Sequence, residues 1–264
     1  MEERWAPVAN GRTRYLVGGT GSPLVLLHGI VASSFSFRFT FDELGRHFQL
    51  FVPDLRIVGL DGGLAATAGR LVQLLDHAGI DKADILGSSY GGAVAMELAA
   101  QAPHRLRRMI LVSPANPFAE NYKRVVRFYL SPLGSIFIRL APMMPAGLWD
   151  YGIGRMCAFP RRLAAGTGTG YREPLRIMGA PQNIRSTLKT FSVEIAGLLP
   201  RLSDIAKTPS FLIWGDRDPV VELESGHRLQ KALRSRMAIM AGIGHLPYEE
   251  NPADFNHIVL GLLR

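Results

Sequence analysis

The sequence predicts an α/β domain whose mostly parallel sheet carries helices on both faces and is interrupted by an inserted helical segment. Three observations predict it. Strand-length apolar runs alternate with helix-length stretches, the pattern of parallel strands joined by crossover helices. The pentapeptide Gly87-Ser88-Ser89-Tyr90-Gly91 has the form G-x-S-x-G and lies between an apolar strand and an apolar helix. The alternation stops after residue 113 and resumes at residue 211, with a stretch rich in Arg, Met, Pro and aromatics between.

Each element has its own signal. Residues 12–17 and 23–28 read as early strands, residues 35–47 as a helix and residues 50–53 as a strand. Apolar side chains at 64, 68, 71, 72, 75 and 78 lie on one helical face, so residues 64–78 form a helix. Residues 83–86 are the strand before the pentapeptide, and residues 92–100 the helix after it. Residues 109–113, 211–214 and 237–240 supply the next strands, and residues 252–263 the final helix. The core domain therefore comprises residues 1–116 and 204–264. Residues 117–203 form a helical cap, or lid, over the strand ends. Inside it Gly166-Thr167-Gly168-Thr169-Gly170 reads as a flexible loop: no strand precedes it and no Lys-Ser/Thr follows, so it is no phosphate loop.

The 264 residues suffice for one sizeable core, and 47% hydrophobic with 20% charged residues is ordinary for a globular chain. The single cysteine, Cys157, forms no internal disulfide. No secretory leader pattern opens the chain, and the most apolar stretch, 128–149, is broken by Arg139 and three prolines. These features predict a cytoplasmic protein without a transmembrane segment. The net charge of +8 is unevenly placed: residues 117–203 hold 12 Lys/Arg against 4 Asp/Glu, and the remainder holds 18 of each. Such a segment is expected either to be a solvated surface or to meet an anionic substrate, an acidic carrier protein or an anionic membrane surface. No basic nucleic-acid motif is present, so nucleic acid is not an expected partner.

A serine hydroxyl becomes nucleophilic only when a base takes its proton, and the base is best a histidine oriented by a carboxylate. Ser89 stands where a sharp strand-to-helix turn would expose its hydroxyl, with a helix N-terminus behind it. Downstream, Trp214-Gly215-Asp216-Arg217-Asp218 places two acids after a strand, and Gly242-Ile243-Gly244-His245 places a histidine in a loop after the last strand. All three positions fall at carboxyl ends of strands, where such sheets collect their sites.

These motifs, with Leu27-His28-Gly29-Ile30, make the chain resemble the α/β-hydrolase superfamily, in its cap-bearing branch of serine esterases and C–C hydrolases. The resemblance covers residues 10–116 and 204–264. It implies an eight-stranded type of sheet, a catalytic Ser89, Asp218 and His245, and an oxyanion hole made by the backbone N–H groups of Ile30 and Tyr90. Asp216 is the alternative acid, or else a turn residue bracing its loop. His28 is expected to hold the loop rather than act as a second base. The serine separates the chain from epoxide hydrolases and haloalkane dehalogenases, which carry aspartate at that position. One departure concerns the segment after the fourth strand, where relatives commonly have Asp-x-x-Gly-x-Gly-x-Ser. Here Asp54 and Gly59 match, but Ile57 replaces the first glycine and Asp61 the serine.

The expected activity is carboxylesterase-like: hydrolysis of an ester or related acyl compound through an acyl-enzyme. Alternatives using the same triad are cleavage of a carbon–carbon bond and acyl transfer to an acceptor other than water. A non-catalytic ligand-binding homologue is the alternative of a different class. No cofactor is expected. The remaining histidines lack a second ligand at metal spacing, so no metal is expected either. Cys157 is read as filling space.

Overall fold

The computed structural model describes residues 1–9, 11–55, 63–177 and 179–263. The altered segment at residues 56–61 lies outside the described residues. Among those described, eight strands form one sheet: β1 (Glu2–Val8), β2 (Gly11–Gly18), β3 (Ser22–Leu27), β4 (Phe48–Pro53), β5 (Ala83–Ser88), β6 (Leu106–Val112), β7 (Ser210–Gly215) and β8 (Arg236–Met240). Their order is β1-β2-β4-β3-β5-β6-β7-β8. The β1–β2 and β2–β4 pairs are antiparallel, and every pair from β4–β3 to β7–β8 is parallel.

The central strands are buried on both faces, and their side chains alternate between two apolar clusters. Val25, Ile85 and Leu111 face one layer, built on α2 (Leu64–His77) and α3 (Tyr90–Gln101). Leu24, Leu26, Leu86 and Ile110 face the other, which includes Leu44 of α1 (Phe41–Gly45) and Phe255 and Val259 of the C-terminal helix. Two-sided burial explains why these strands read as continuous apolar runs.

Between β6 and β7 the chain leaves the sheet and forms α4 (Asn121–Leu130), α5 (Pro132–Leu140), α6 (Ala146–Gly154), α7 (Thr167–Arg172), α8 (Ala180–Gly197) and α9 (Leu202–Ile205). The last part of the chain adds α10 (Leu223–Leu233), α11 (Pro247–Glu250) and α12 (Pro252–Leu263). Among the described residues no helix is long and apolar enough to cross a membrane.

Two local readings are corrected and two elements are added. The helix expected over 35–47 is two pieces, a 3₁₀ turn Ser34–Phe37 and α1. Thr40 divides them, because both its N–H and its hydroxyl bond the Phe37 carbonyl, at 2.9 and 2.6 Å. Strand β1 and helix α10 had no reading at all. The glycine-rich run 166–170 is the start of α7 rather than a flexible loop. Two of its glycines serve close approach: a Cβ at Gly170 would overlap the Phe35 ring, and Gly168 N–H donates to Asp150 Oδ1 at 2.7 Å.

Glycines in this fold divide by what a side chain would meet. A Cβ at Gly69, inside α2, meets nothing within 4 Å, whereas one at Gly91 collides with the Leu27 carbonyl. Gly69→Ala is therefore expected to stabilise the fold by about 0.5–1 kcal/mol. Gly91→Ala is expected to lower the melting temperature. Thermal and urea unfolding of the two variants checks both signs; a destabilised Gly69→Ala would refute the first.

Candidate active site

Residue 89 is where the backbone turns from β5 into α3. Ser89 has φ 52° and ψ −115°, a left-handed conformation that costs a non-glycine residue about 1–3 kcal/mol. Four backbone hydrogen bonds hold it there. Its N–H donates to Val112 O at 3.0 Å, and its carbonyl accepts from Gly92, Ala93 and Ala115 N–H at 3.0, 3.2 and 3.0 Å. At about 1 kcal/mol net each, these bonds offset the strain. Gly87 and Gly91 are needed because the turn is so tight: a Cβ on Gly87 would strike the Gly91 carbonyl.

The histidine and one acid meet directly. His245 Nδ1 lies 2.7 Å from Asp218 Oδ2, and both residues are buried, at 3% and 8% exposure. Asp218 Oδ1 accepts from Val220 and Val221 N–H at 2.8 and 2.9 Å, which fixes the carboxylate and aims Oδ2 at the ring. With Nδ1 donating to the carboxylate, the proton sits on Nδ1 and the lone pair on Nε2. Asp216 goes elsewhere: it is exposed, and its Oδ1 accepts Gly242 N–H at 2.7 Å.

Ser89, His245, Gly29 and Ile30 line one cavity of about 550 Å³. A Cβ placed on Gly29 would lie 3.5 Å from Ser89 Cβ and 4.0 Å from its Oγ. Among the described residues, no hydrogen bond joins Ser89 Oγ to His245. The rest of the wall is apolar or aromatic and comes largely from the inserted helices, for example Val126, Ile138, Trp149, Leu188 and Phe191. None of the described lining residues is Asp, Glu, Lys or Arg. The insertion's surplus of positive charge therefore offers no counter-ion inside the cavity.

His28 governs the peptide before Ile30. Its Nδ1–H donates to Gly29 O at 2.7 Å, and its Nε2 accepts Leu55 N–H at 2.9 Å. Ala32 N–H also donates to Gly29 O, at 3.2 Å. A trans peptide points its C=O and N–H in opposite directions. Holding the Gly29 carbonyl on the His28 side therefore turns the Ile30 N–H away from it. Tyr90 is the first residue of α3, so its N–H has no partner within the helix. Its phenol lies 3.1 Å from Thr67 Oγ1, and burial raises its pKa above the ordinary value, opposed by that hydrogen bond. Asp54, the matching residue of the altered segment, bonds Ser34 N–H and Arg14, both at 2.7 Å.

Sequence reasoning missed Glu250. This buried carboxylate accepts Gly244 N–H at 2.8 Å through Oε1, and Ala158 and Phe159 N–H at 2.8 and 3.2 Å through Oε2. His245 N–H in turn donates to Met156 O at 2.8 Å. One side chain thus joins the histidine loop to the inserted segment. Its neighbour Glu249 is also buried and takes a bidentate pair from Arg38 at 2.6 and 2.8 Å, with Tyr171 O–H donating at 3.1 Å. Burial raises the Glu249 pKa and Arg38 opposes the rise. The only signal in the sequence was the acid pair itself, which reads as surface. Cys157 is buried beside these acids, and burial together with Glu250 and Glu249 pushes its thiol pKa up, a setting that disfavours the thiolate.

A family model of the alpha/beta hydrolase fold matches residues 22–252, and the chain belongs to that family. It is similar to an uncharacterized protein of Mycobacterium tuberculosis, at 30% identity over 94% of this chain and 77% of that one. It is similar to a 2-hydroxy-6-oxo-2,4-heptadienoate hydrolase of Pseudomonas putida, at 24% identity over 91% and 88%. Among solved structures, a bacterial membrane phospholipase A matches with a TM-score of 0.83 at 21% identity, over 99% of this chain and 85% of that one.

The Glu250 geometry carries a test. Gln in place of Glu250 keeps the shape but turns an amide NH₂ against backbone N–H donors. Glu250→Gln is expected to destabilise the protein by about 1–3 kcal/mol by loosening the histidine loop. Urea denaturation checks this. Unchanged stability would show that the carboxylate ties nothing together.

Proposed function

We propose that this chain is a serine hydrolase cleaving esters of neutral, apolar acyl groups. One observation carries the reading: a strained serine and an aspartate-bound histidine share the wall of a cavity lined by no charged residue among those described. Ser89 Oγ attacks the acyl carbonyl carbon as its proton passes to His245 Nε2. Contacts of this kind often tighten only when substrate fills the site. The imidazolium so formed is stabilised by Asp218. The oxyanion is held by the N–H groups of Tyr90 and Ile30, the first reinforced by the N-terminus of α3. Collapse breaks the ester C–O bond, and His245 returns the proton to the leaving alkoxide. Water then attacks the acyl-serine and gives its proton to His245. Release of the acid returns that proton to Ser89. The insertion serves as the cap that walls the acyl site.

A second reading follows from the Pseudomonas relative, whose named substrate is a dienoate cleaved at a carbon–carbon bond. Such a substrate carries a carboxylate, and a buried carboxylate needs a cation or several donors. The described cavity wall offers no Lys or Arg, which favours the neutral ester.

Two measurements test the assignment. Ser89→Ala is expected to abolish hydrolysis of p-nitrophenyl esters, by on the order of 10³-fold or more, and labelling by a fluorophosphonate. Retention of activity within about tenfold would overturn the nucleophile. Turnover should rise from acetate to medium-chain esters as the cavity fills, and dienoate ketones should be poor substrates.

The two acids separate in a further comparison. Asp218→Asn is expected to lower kcat by orders of magnitude, because an amide favours the wrong imidazole tautomer. Asp216→Asn alters only a loop brace and should change kcat by less than about tenfold. The opposite ranking would reassign the acid.

A further inference from the structure

The helical hairpin of α4 and α5 is turned inside out. In α5 the apolar side chains Leu133, Ile136, Phe137 and Leu140 follow the spacing i, i+3, i+4, i+7, which marks one face of a helix. That face points to solvent, with Leu133 at 67% and Ile136 at 57% exposure, while Gly134 and Ile138 face inward. A face of this kind is ordinarily the one that packs. Phe128 of α4 continues it, with its ring 6.3 Å from that of Phe137, and Met143 extends it at 80% exposure. Four of the exposed side chains, Val125, Phe137, Leu148 and Tyr151, also line the cavity. The apolar surface therefore runs without a break into the cavity mouth.

The charges on the two helices themselves are of one sign; at their border Glu120 pairs with Lys123, and Asp150 is exposed between Leu148 and Tyr151. Residues 121–140 contain Lys123, Arg124, Arg127 and Arg139 and no Asp or Glu. Arg124, Arg127 and Arg139 are exposed. An exposed apolar stripe fringed by cations is the pattern of a helix that lies in the headgroup region of an anionic bilayer. A second copy of the chain fits less well, because a two-fold contact through this face would set like charges against one another.

We propose that the α4–α5 face docks on an anionic phospholipid bilayer, with the apolar side chains entering the headgroup boundary and the arginines meeting phosphates. Docking sets the cavity mouth against the lipid, so an apolar ester passes from bilayer to cavity without crossing water. The surface stands apart from the catalytic reading: binding to lipid requires neither Ser89 nor His245.

The test is co-sedimentation of the 264-residue chain carrying Ser89→Ala, which leaves lipid intact, with vesicles of phosphatidylcholine alone or mixed with phosphatidylglycerol. Binding is expected on the mixed vesicles and to weaken as salt shortens the screening length from about 30 Å at 0.01 M to about 10 Å at 0.1 M. Arg124→Gln with Arg127→Gln should weaken it by on the order of 25-fold, about fivefold per charge. Leu133→Ser with Ile136→Ser should weaken it at least as much while leaving hydrolysis of a soluble short-chain ester unchanged. Equal binding to both vesicle types, or binding that survives both pairs of substitutions, would overturn the proposal. So would no binding together with a dimer that Leu133→Ser and Ile136→Ser dissociate in sedimentation velocity, because the face would then belong to a second copy.

Discussion

The site depends on the backbone at Ser89. A residue at φ 52° persists only where its surroundings over-determine it, and here they do. Val112 of the neighbouring strand takes its N–H, while α3 and the loop after β6 supply donors to its carbonyl. The same turn brings α3 so close to β3 that Gly91 meets the Leu27 carbonyl. That approach brings the Gly29–Ile30 peptide beside Ser89. The positions proposed for the nucleophile and the oxyanion donors are therefore set by one packing contact, and the parallel β3–β5 pairing fixes its register.

A second constraint works from the opposite side of the site. The histidine loop has little regular structure of its own, yet its position must be defined. Buried carboxylates supply that definition: Asp218 holds the ring, Glu250 holds Gly244, and the inserted segment holds the His245 N–H. Glu250 accepts three backbone N–H groups, so charge-assisted bonds repay a desolvation cost that an unpaired carboxylate could not meet. Because two of those donors belong to residues 158 and 159, the insertion and the histidine cannot shift independently. The cavity wall and His245 are one mechanical unit.

Most of the sheet was legible because two-sided burial writes itself as uninterrupted apolar strands. What escaped did so for physical reasons. In β1 only Ala6 and Val8 are buried, so Glu2-Glu3-Arg4-Trp5 shows no alternation to read. Helix α10 carries Gly226 in its interior, a residue that argues against helix until one sees the Trp214 ring packed on it. The candidate residues Ser89, Asp218 and His245 were legible in the sequence as a set, since each follows a strand. Their supporting carboxylates were not. Glu249 and Glu250 look like any exposed acid pair, and only tertiary packing makes them buried acceptors.

Charge and cavity chemistry also had to be separated by structure. A count of residues 117–203 gives a surplus of eight positive charges, and taken alone it points to anionic ligands. Burial decides where those charges can stand. An ion in an apolar wall costs several kcal/mol unless it is paired, so a segment that walls an apolar cavity must turn its arginines outward. The helices comply: Val126 and Ile138 turn inward, while Arg124, Arg127 and Arg139 turn to solvent. The proposed anionic surface would therefore meet the outer face, and the proposed neutral acyl group the inner one. A segment with both properties can select an apolar substrate while responding to an anionic surface, because the two interactions occupy opposite sides of the same helices.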